Sequence, residues 1–448
     1  MDAISSASWM LEQEARALLT RLARVKPFVL HETMVPAAGI SPAALLAIEG
    51  FLAHGRQELR DRVQAFLRWL QEAAEHEVAP AEAQQRFIAL RMRFNDVLTQ
   101  FDLFADALTQ RSEHETGVWL SGLDAAAAEA LALPGGYYEA PPVICYLDRG
   151  PGAAIRRART RLPGGGENPV AIIRVPRERM IGSGIASSLV HEVGHQGSAL
   201  LDLIGSLRPV LREMQQRDER EQIAWQFWER WISEILADLW GVARVGVAST
   251  LGLISVVSLP RLFVFRVSPD DPHPIPWIRV KLSCAIGHAL YPHPQWSGLA
   301  RLWESYYPRT GLDEERQGLL ALLEETIPEF VETLIHHRPE SLRGASLSES
   351  LLNEECQPAR LAARYQSWRA SPDRIRRAPP SLVFAVMGQA RIDGRASPEE
   401  ESRIVAEMLN YWALRSTLDA SALCVAQAPA QVRRPVLRSP IEFNAMVQ

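Results

Sequence analysis

The chain has 448 residues, 47% hydrophobic and 23% charged, with a formal net charge of -5. That length exceeds one ordinary domain and can bury a large core without disulfide or metal staples, and the weak negative charge argues against nucleic acid as a partner. The N-terminal stretch carries Asp2, Glu12 and Glu14 and lacks a basic region followed by an apolar one, so no signal peptide is expected.

Residues 1–133 are predicted to be helical. Apolar residues recur at helical spacing through Phe51, Leu52, Leu59, Val63, Phe66, Leu67 and Leu70. Ser41-Pro42 reads as a cap followed by proline at the first helical position. Asp124 is expected to cap the alanine-rich run 125–133, which Pro134-Gly135-Gly136 ends. Then the texture changes. Residues 142–147 and 170–175 are short, apolar and β-branched between Gly/Pro clusters, and are predicted strands. The second of them either offers an edge to an extended peptide or lies inside a sheet. The basic patch Arg156-Arg157-Arg159-Arg161 between them reads as a solvated loop rather than a site for an acidic ligand.

Residues 183–309 return to helix, interrupted by the proline-dense loop 269–276. The run 245–259 carries no charge, but a membrane span needs about 20 apolar residues. It is predicted to be a buried core helix, with no stable membrane insertion. From 311 the chain is helical again, with a last boundary near 377–380. Asp393-Gly394 supplies a turn, and Ser397-Pro398-Glu399-Glu400 has the form of a capping box. The stretch 382–418 resembles TerB-like helical domains on these two features, and a plain helical hairpin explains the same residues. The expected organisation is therefore 1–133 helical, 134–310 a core with a small β-sheet, 311–378 helical and 379–448 a small helical domain. The class is mainly α (α+β).

Cys145, Cys284, Cys356 and Cys424 lie far apart and form no C-x-x-C pair. This argues against a disulfide framework and a thiolate zinc site, and suits a reducing, cytoplasmic setting. The chemistry instead centres on His191-Glu192-Val193-Gly194-His195, an H-E-x-x-H sequence. On a helix, residues i and i+4 share a face, so both imidazoles can reach one ion, and Glu192 projects beside it as a general base. Gly194 is small where a neighbouring backbone has to pass. Downstream, Glu234 and Asp238 fall at i and i+4 on an otherwise apolar helix. Two acids facing a core are costly unless paired or metal-bound. Glu234 is therefore assigned as third ligand, and Asp238 as the hydrogen-bond acceptor that orients a ligand histidine. Two neutral imidazoles and a carboxylate suit Zn2+ with one position left open.

H-E-x-x-H followed by a helix bearing E-x-x-x-D resembles the gluzincin zinc metallopeptidases. The phrase E-I-L-A-D-L-W-G, with His273-Pro274 and Arg279 downstream, is also similar to M48-like peptidases; the likeness covers about residues 140–310. It implies a zincin-like core, a Zn2+ cofactor, a protein or peptide substrate and endopeptidase activity. Catalytic roles for Glu192, His273 and Arg279 come with it, Arg279 reading best as an ion pair to Asp238. His273, Arg279, Tyr291 and Tyr306 are the candidate oxyanion donors. Trp225, Trp228, Trp231 and Trp240 are expected to pack the ligand helix into the core. His288 and His293 are expected to pack or lie at the surface, and His336-His337 to be solvated. The competing reading is a helical interaction or scaffold protein with a structural or vestigial zinc site, its flanks docking partners; such a site has no need of Glu192.

Overall fold

The computed structural model describes residues 3–24, 34–75, 79–150, 152–268 and 270–427. Pro269 of the proline-dense loop and residues 428–448 of the expected C-terminal domain lie outside the described residues. The first helices are α1 (Ala3–Arg24), α2 (Pro42–Glu75), α3 (Pro80–Thr109) and α4 (His114–Leu131). Strands β1 (Val143–Asp148), β2 (Ala154–Arg156) and β3 (Ala171–Pro176) follow. The central helices are α5 (Ser183–Leu200), α6 (Leu203–Met214), α7 (Gln222–Val245), α8 (Val247–Val257), α9 (Arg261–Val264), α10 (Pro276–Leu290) and α11 (Pro294–Tyr306). The chain continues through α12 (Glu314–His336), α13 (Leu347–Leu351), α14 (Pro358–Ala370), α15 (Pro380–Ile392) and α16 (Pro398–Gln427). The molecule is thus mainly α with one small sheet, as expected.

Proline opens α2, α3, α10, α11, α14, α15 and α16. Its fixed φ suits the first turn, and its missing N–H would have no helical partner there. Ser41 Oγ accepts from Ala44 N at 3.2 Å, so the expected cap forms. At α16 Ser397 Oγ accepts from Glu400 N at 3.2 Å, but Glu400 Oε1 accepts from the Tyr365 hydroxyl at 3.3 Å, and only half of the expected box is built. Asp124 does not cap a helix. α4 runs through it, and its buried carboxylate accepts from Cys145 N at 2.7 Å and pairs with Arg111 at 3.0 Å. A fully buried guanidinium compensates the charge, which a sequence reading of Asp as a cap does not foresee.

The sheet order is β1-β3-β2, with β1 parallel and β2 antiparallel to β3. β3 is therefore the central strand, and the idea that residues 170–175 offer a free edge is corrected. The open edge belongs to β2, three residues too short to give a β pattern. The outer edge of β1 is closed by side chains. Gln110 Oε1 accepts from Leu147 N at 2.9 Å and Gln110 Nε2 donates to Leu147 O at 2.7 Å. One residue on, Arg111 donates to Cys145 O at 2.9 Å. The edge amides and carbonyls that would template another strand are thus occupied.

Alternating pleat directions divide the core. Val143, Cys145, Leu147, Ala171, Ile173 and Val175 enter a large core running from Leu120 in α4 to Trp412 in α16. Ile144 and Ile172 enter a smaller one made with α1, α2 and α3. The apolar run after α7 is the buried helix expected, set off by Gly246 at φ +56°, and among the described residues no helix is long and apolar enough to cross a membrane.

Candidate metal centre

Two helices build the site, and glycine lets them meet. α5 carries His191, Glu192 and His195; α7 carries Glu234 and Asp238. At Gly194 a Cβ would lie 2.8 Å from Ala237 Cα and 2.9 Å from Trp240 Cβ, and at Gly197 it would run into the Trp240 ring. Only hydrogen at these positions allows the backbones this close. The tryptophans fix α7 as expected: all four are buried, Trp228 Nε1 donating to Thr326 Oγ1 at 3.0 Å and Trp240 Nε1 to Ala130 O at 3.1 Å. The start of α5 is held from the C-terminal region. Arg391 donates to Ser183 Oγ and to Glu401 Oε2, both at 2.9 Å, and Gly182 leaves space for the buried Glu401 carboxylate.

Within this frame one donor atom each from His191, His195 and Glu234 lies within 4.8 Å of the others. Glu234 Oε2 is 3.2 Å from His191 Nε2, and Oε1 is 3.4 Å from His195 Nε2. The far nitrogens are held from behind. His191 Nδ1 is 2.9 Å from Asp238 Oδ1, and His195 Nδ1 is 3.4 Å from Ser233 Oγ. With Nδ1–H on Asp238, Nε2 of His191 faces Glu234, and loss of its proton would free that nitrogen to hold an ion. Arg279 in α10 is buried and donates to Asp238 from Nε at 2.7 Å and from Nη2 at 2.9 Å, and Nη2 also lies 3.4 Å from Glu234. Its fork is spent on these carboxylates, so Arg279 positions the site. Two imidazoles and a carboxylate with their outer partners in place form a donor set that can hold a metal ion.

Electrostatics agree with the geometry. Burial opposes charge on His191, but hydrogen bonds to Asp238 and Glu234 outweigh it and raise its pKa to about 10. Burial, reinforced by the neighbouring His191, lowers His195 to about 4. Burial would raise Glu234, yet hydrogen bonding and charge from His191 bring it down to about 2. Glu192 behaves differently. It is buried, makes no hydrogen bond or ion pair among the described residues, and is pushed up by burial.

The loop before α10 brings His273 to the site. Its Nε2 lies 3.4 Å from Glu234 Oε2, and its ring is half exposed. Asp271 fixes it, with Oδ1 2.8 Å from His273 Nδ1 and 3.0 Å from the His273 amide. Asp271 and Ser233 were not anticipated. The spacing D-x-H in a proline-rich loop was the available signal for Asp271; for Ser233, beside Glu234, there was none. Tyr291 is excluded as an oxyanion donor because its buried hydroxyl donates to Ala243 O at 2.6 Å. Tyr306 is exposed, and among the described residues no hydrogen bond joins its hydroxyl to the cluster. His288 is exposed, His293 Nδ1 accepts from Gln295 N at the start of α11, and His337 Nε2 lies 2.9 Å from Ser206 Oγ. No family model matches the chain, and no curated protein or solved structure matches it.

Proposed function

We propose that the chain is a zinc-dependent metallopeptidase that cleaves internal peptide bonds. The observation carrying this reading is Glu192: a buried, unpaired carboxylate adjoining a three-donor cluster. Leaving such a group without a partner costs stability, and a site that only holds a metal for structure has no use for it. The cluster has three protein donors among the described residues, whereas structural zinc sites are closed by four. That distinction weighs against the scaffold alternative.

A zinc ion at this position supplies Lewis acidity toward a carbonyl oxygen and toward water. Glu192, raised by burial, accepts a proton from the attacking water and returns it to the leaving amine. Asp238 and Ser233 keep the two imidazoles turned inward, and Arg279 neutralises the carboxylates behind them. His273 lies at the open side. Asp271 holds its ring so that Nε2 is turned toward the cluster, where an oxyanion would meet it.

The test is metal content and cleavage of a mixed protein substrate by wild type and Glu192→Gln. One zinc per chain in both, with cleavage by the wild type alone and a loss of about 10²-fold or more in the variant, is expected. Equal cleavage by both would refute the role of Glu192, and absence of zinc from both would refute the metal centre.

A further inference from the structure

The sheet face turned away from α5 changes character along its length. At one end Ile144 and Ile172 are buried in the smaller core. Further on, the register puts Tyr146, Arg174 and Ala154 in one row across the three strands. Arg156 opposes Ile172 and so shares this face. Over this polar stretch the C-terminal turns of α3 leave a cavity of about 900 Å³ between helix and sheet.

Three arginines line it, Arg156, Arg157 and Arg174. Arg174 is partly engaged: Asp148 lies 3.6 Å from it, the Gly152 carbonyl accepts at 3.3 Å, and its Nε is buried without a partner. Among the described residues, Arg156 and Arg157 have no ion-pair partner. Asp106 and Asp148 line the same space, and Leu103 and Ile172 give it apolar wall. The volume lies in the range of small-molecule sites, roughly 300–1,000 Å³. Unengaged arginine forks are suited to two-point recognition of phosphate or carboxylate. The two aspartates are placed to accept from hydroxyl or amino groups of the same molecule.

We propose that this cavity is a second ligand site, on the opposite side of the sheet from the metal centre. It binds a small molecule with an oxyanion group at Arg156 and Arg157 and hydrogen-bond donors toward Asp106 and Asp148. The inference does not rest on the peptidase reading, because none of these residues belongs to α5, α7 or α10.

The experiment is calorimetric titration of the full chain with two probes: ribose 5-phosphate, which joins phosphate to hydroxyls, and glutamate, which joins carboxylates to an ammonium. One of them is expected to bind at one site per chain with a Kd below about 1 mM, and which one does so separates the phosphate source from the carboxylate source. The double variant Arg156→Gln/Arg157→Gln should weaken that binding by about tenfold or more. Arg301→Gln, at an exposed position on α11, should leave it unchanged. Equal denaturation midpoints for the variants and wild type establish that a loss is local. Failure of both probes to bind up to about 10 mM, or binding that survives the double variant, would overturn the proposal.

Discussion

Substituting Gly194 by alanine should separate the two helices that carry the metal donors. The added Cβ would lie 2.8 Å from Ala237 Cα, 2.9 Å from Trp240 Cβ and 3.0 Å from Ala237 O. Carbon atoms rest at about 3.5–4.0 Å, so α5 and α7 must part by roughly 0.5–1 Å. The obstacles are backbone and the Cβ of a fully buried tryptophan, and none can swing aside. Overpacking of this kind costs about 1–3 kcal/mol. The displacement also moves His191 and His195 away from Glu234, and metal–ligand distances tolerate only about 0.2 Å. Zinc affinity should therefore fall by about tenfold or more, comparable to losing an outer partner of a ligand. Competition with a chromogenic chelator measures the affinity, and urea denaturation of the metal-free protein measures the packing term. Gly298→Ala in α11 is the control: nothing lies within 4 Å of its added Cβ. That variant should be unchanged or more stable by up to about 1 kcal/mol. Unaltered affinity and stability in Gly194→Ala would refute the close crossing as the basis of the site.

Asp238→Asn should keep the fold but weaken zinc binding about 10–100-fold, because the hydrogen bond that orients His191 is lost; the same chelator competition reads it. Arg279→Met should destabilise by about 3–5 kcal/mol in urea denaturation, since it leaves Asp238 and Glu234 buried without their cation. Adding Asp238→Asn to that variant should recover part of the loss. Metal uptake should also release a proton. In the metal-free protein His191 is raised from 6.5 to about 10, so its charged form stabilises the fold fully below pH 6.5 and that contribution disappears as pH rises through about 10. A ligand histidine must be neutral, so zinc binding near pH 8 should expel about one proton, counted by calorimetry in buffers of different ionisation enthalpy. His195, lowered to about 4, contributes none, and the absence of any release would show that His191 is already neutral.

The residues that could hold a metal ion were legible because they stand at helical spacing. His191 and His195 are one turn apart, as are Glu234 and Asp238, and an apolar background leaves few other uses for acids there. The meeting of the pairs was less legible, although Gly194 hinted at a close crossing. Asp124 misled because its compensating partner, Arg111, is near in sequence yet joined to it only by the packing of β1. Tyr291 was as plausible a donor as His273 until the fold committed its hydroxyl to Ala243.

The sequence by itself determined that the chain is mostly helical, where α2 and α16 begin, that a small sheet interrupts the helices, and which residues can ligate a metal. These are local properties, set by a residue and its neighbours within a turn or two. Only the tertiary structure decided that β3 is central and β2 the open edge, that Asp271 steadies His273, and that Arg156, Arg157 and Arg174 surround one cavity. Such outcomes depend on strand order, register and the approach of distant helices, which shape and burial select over the whole chain and no short window of sequence contains.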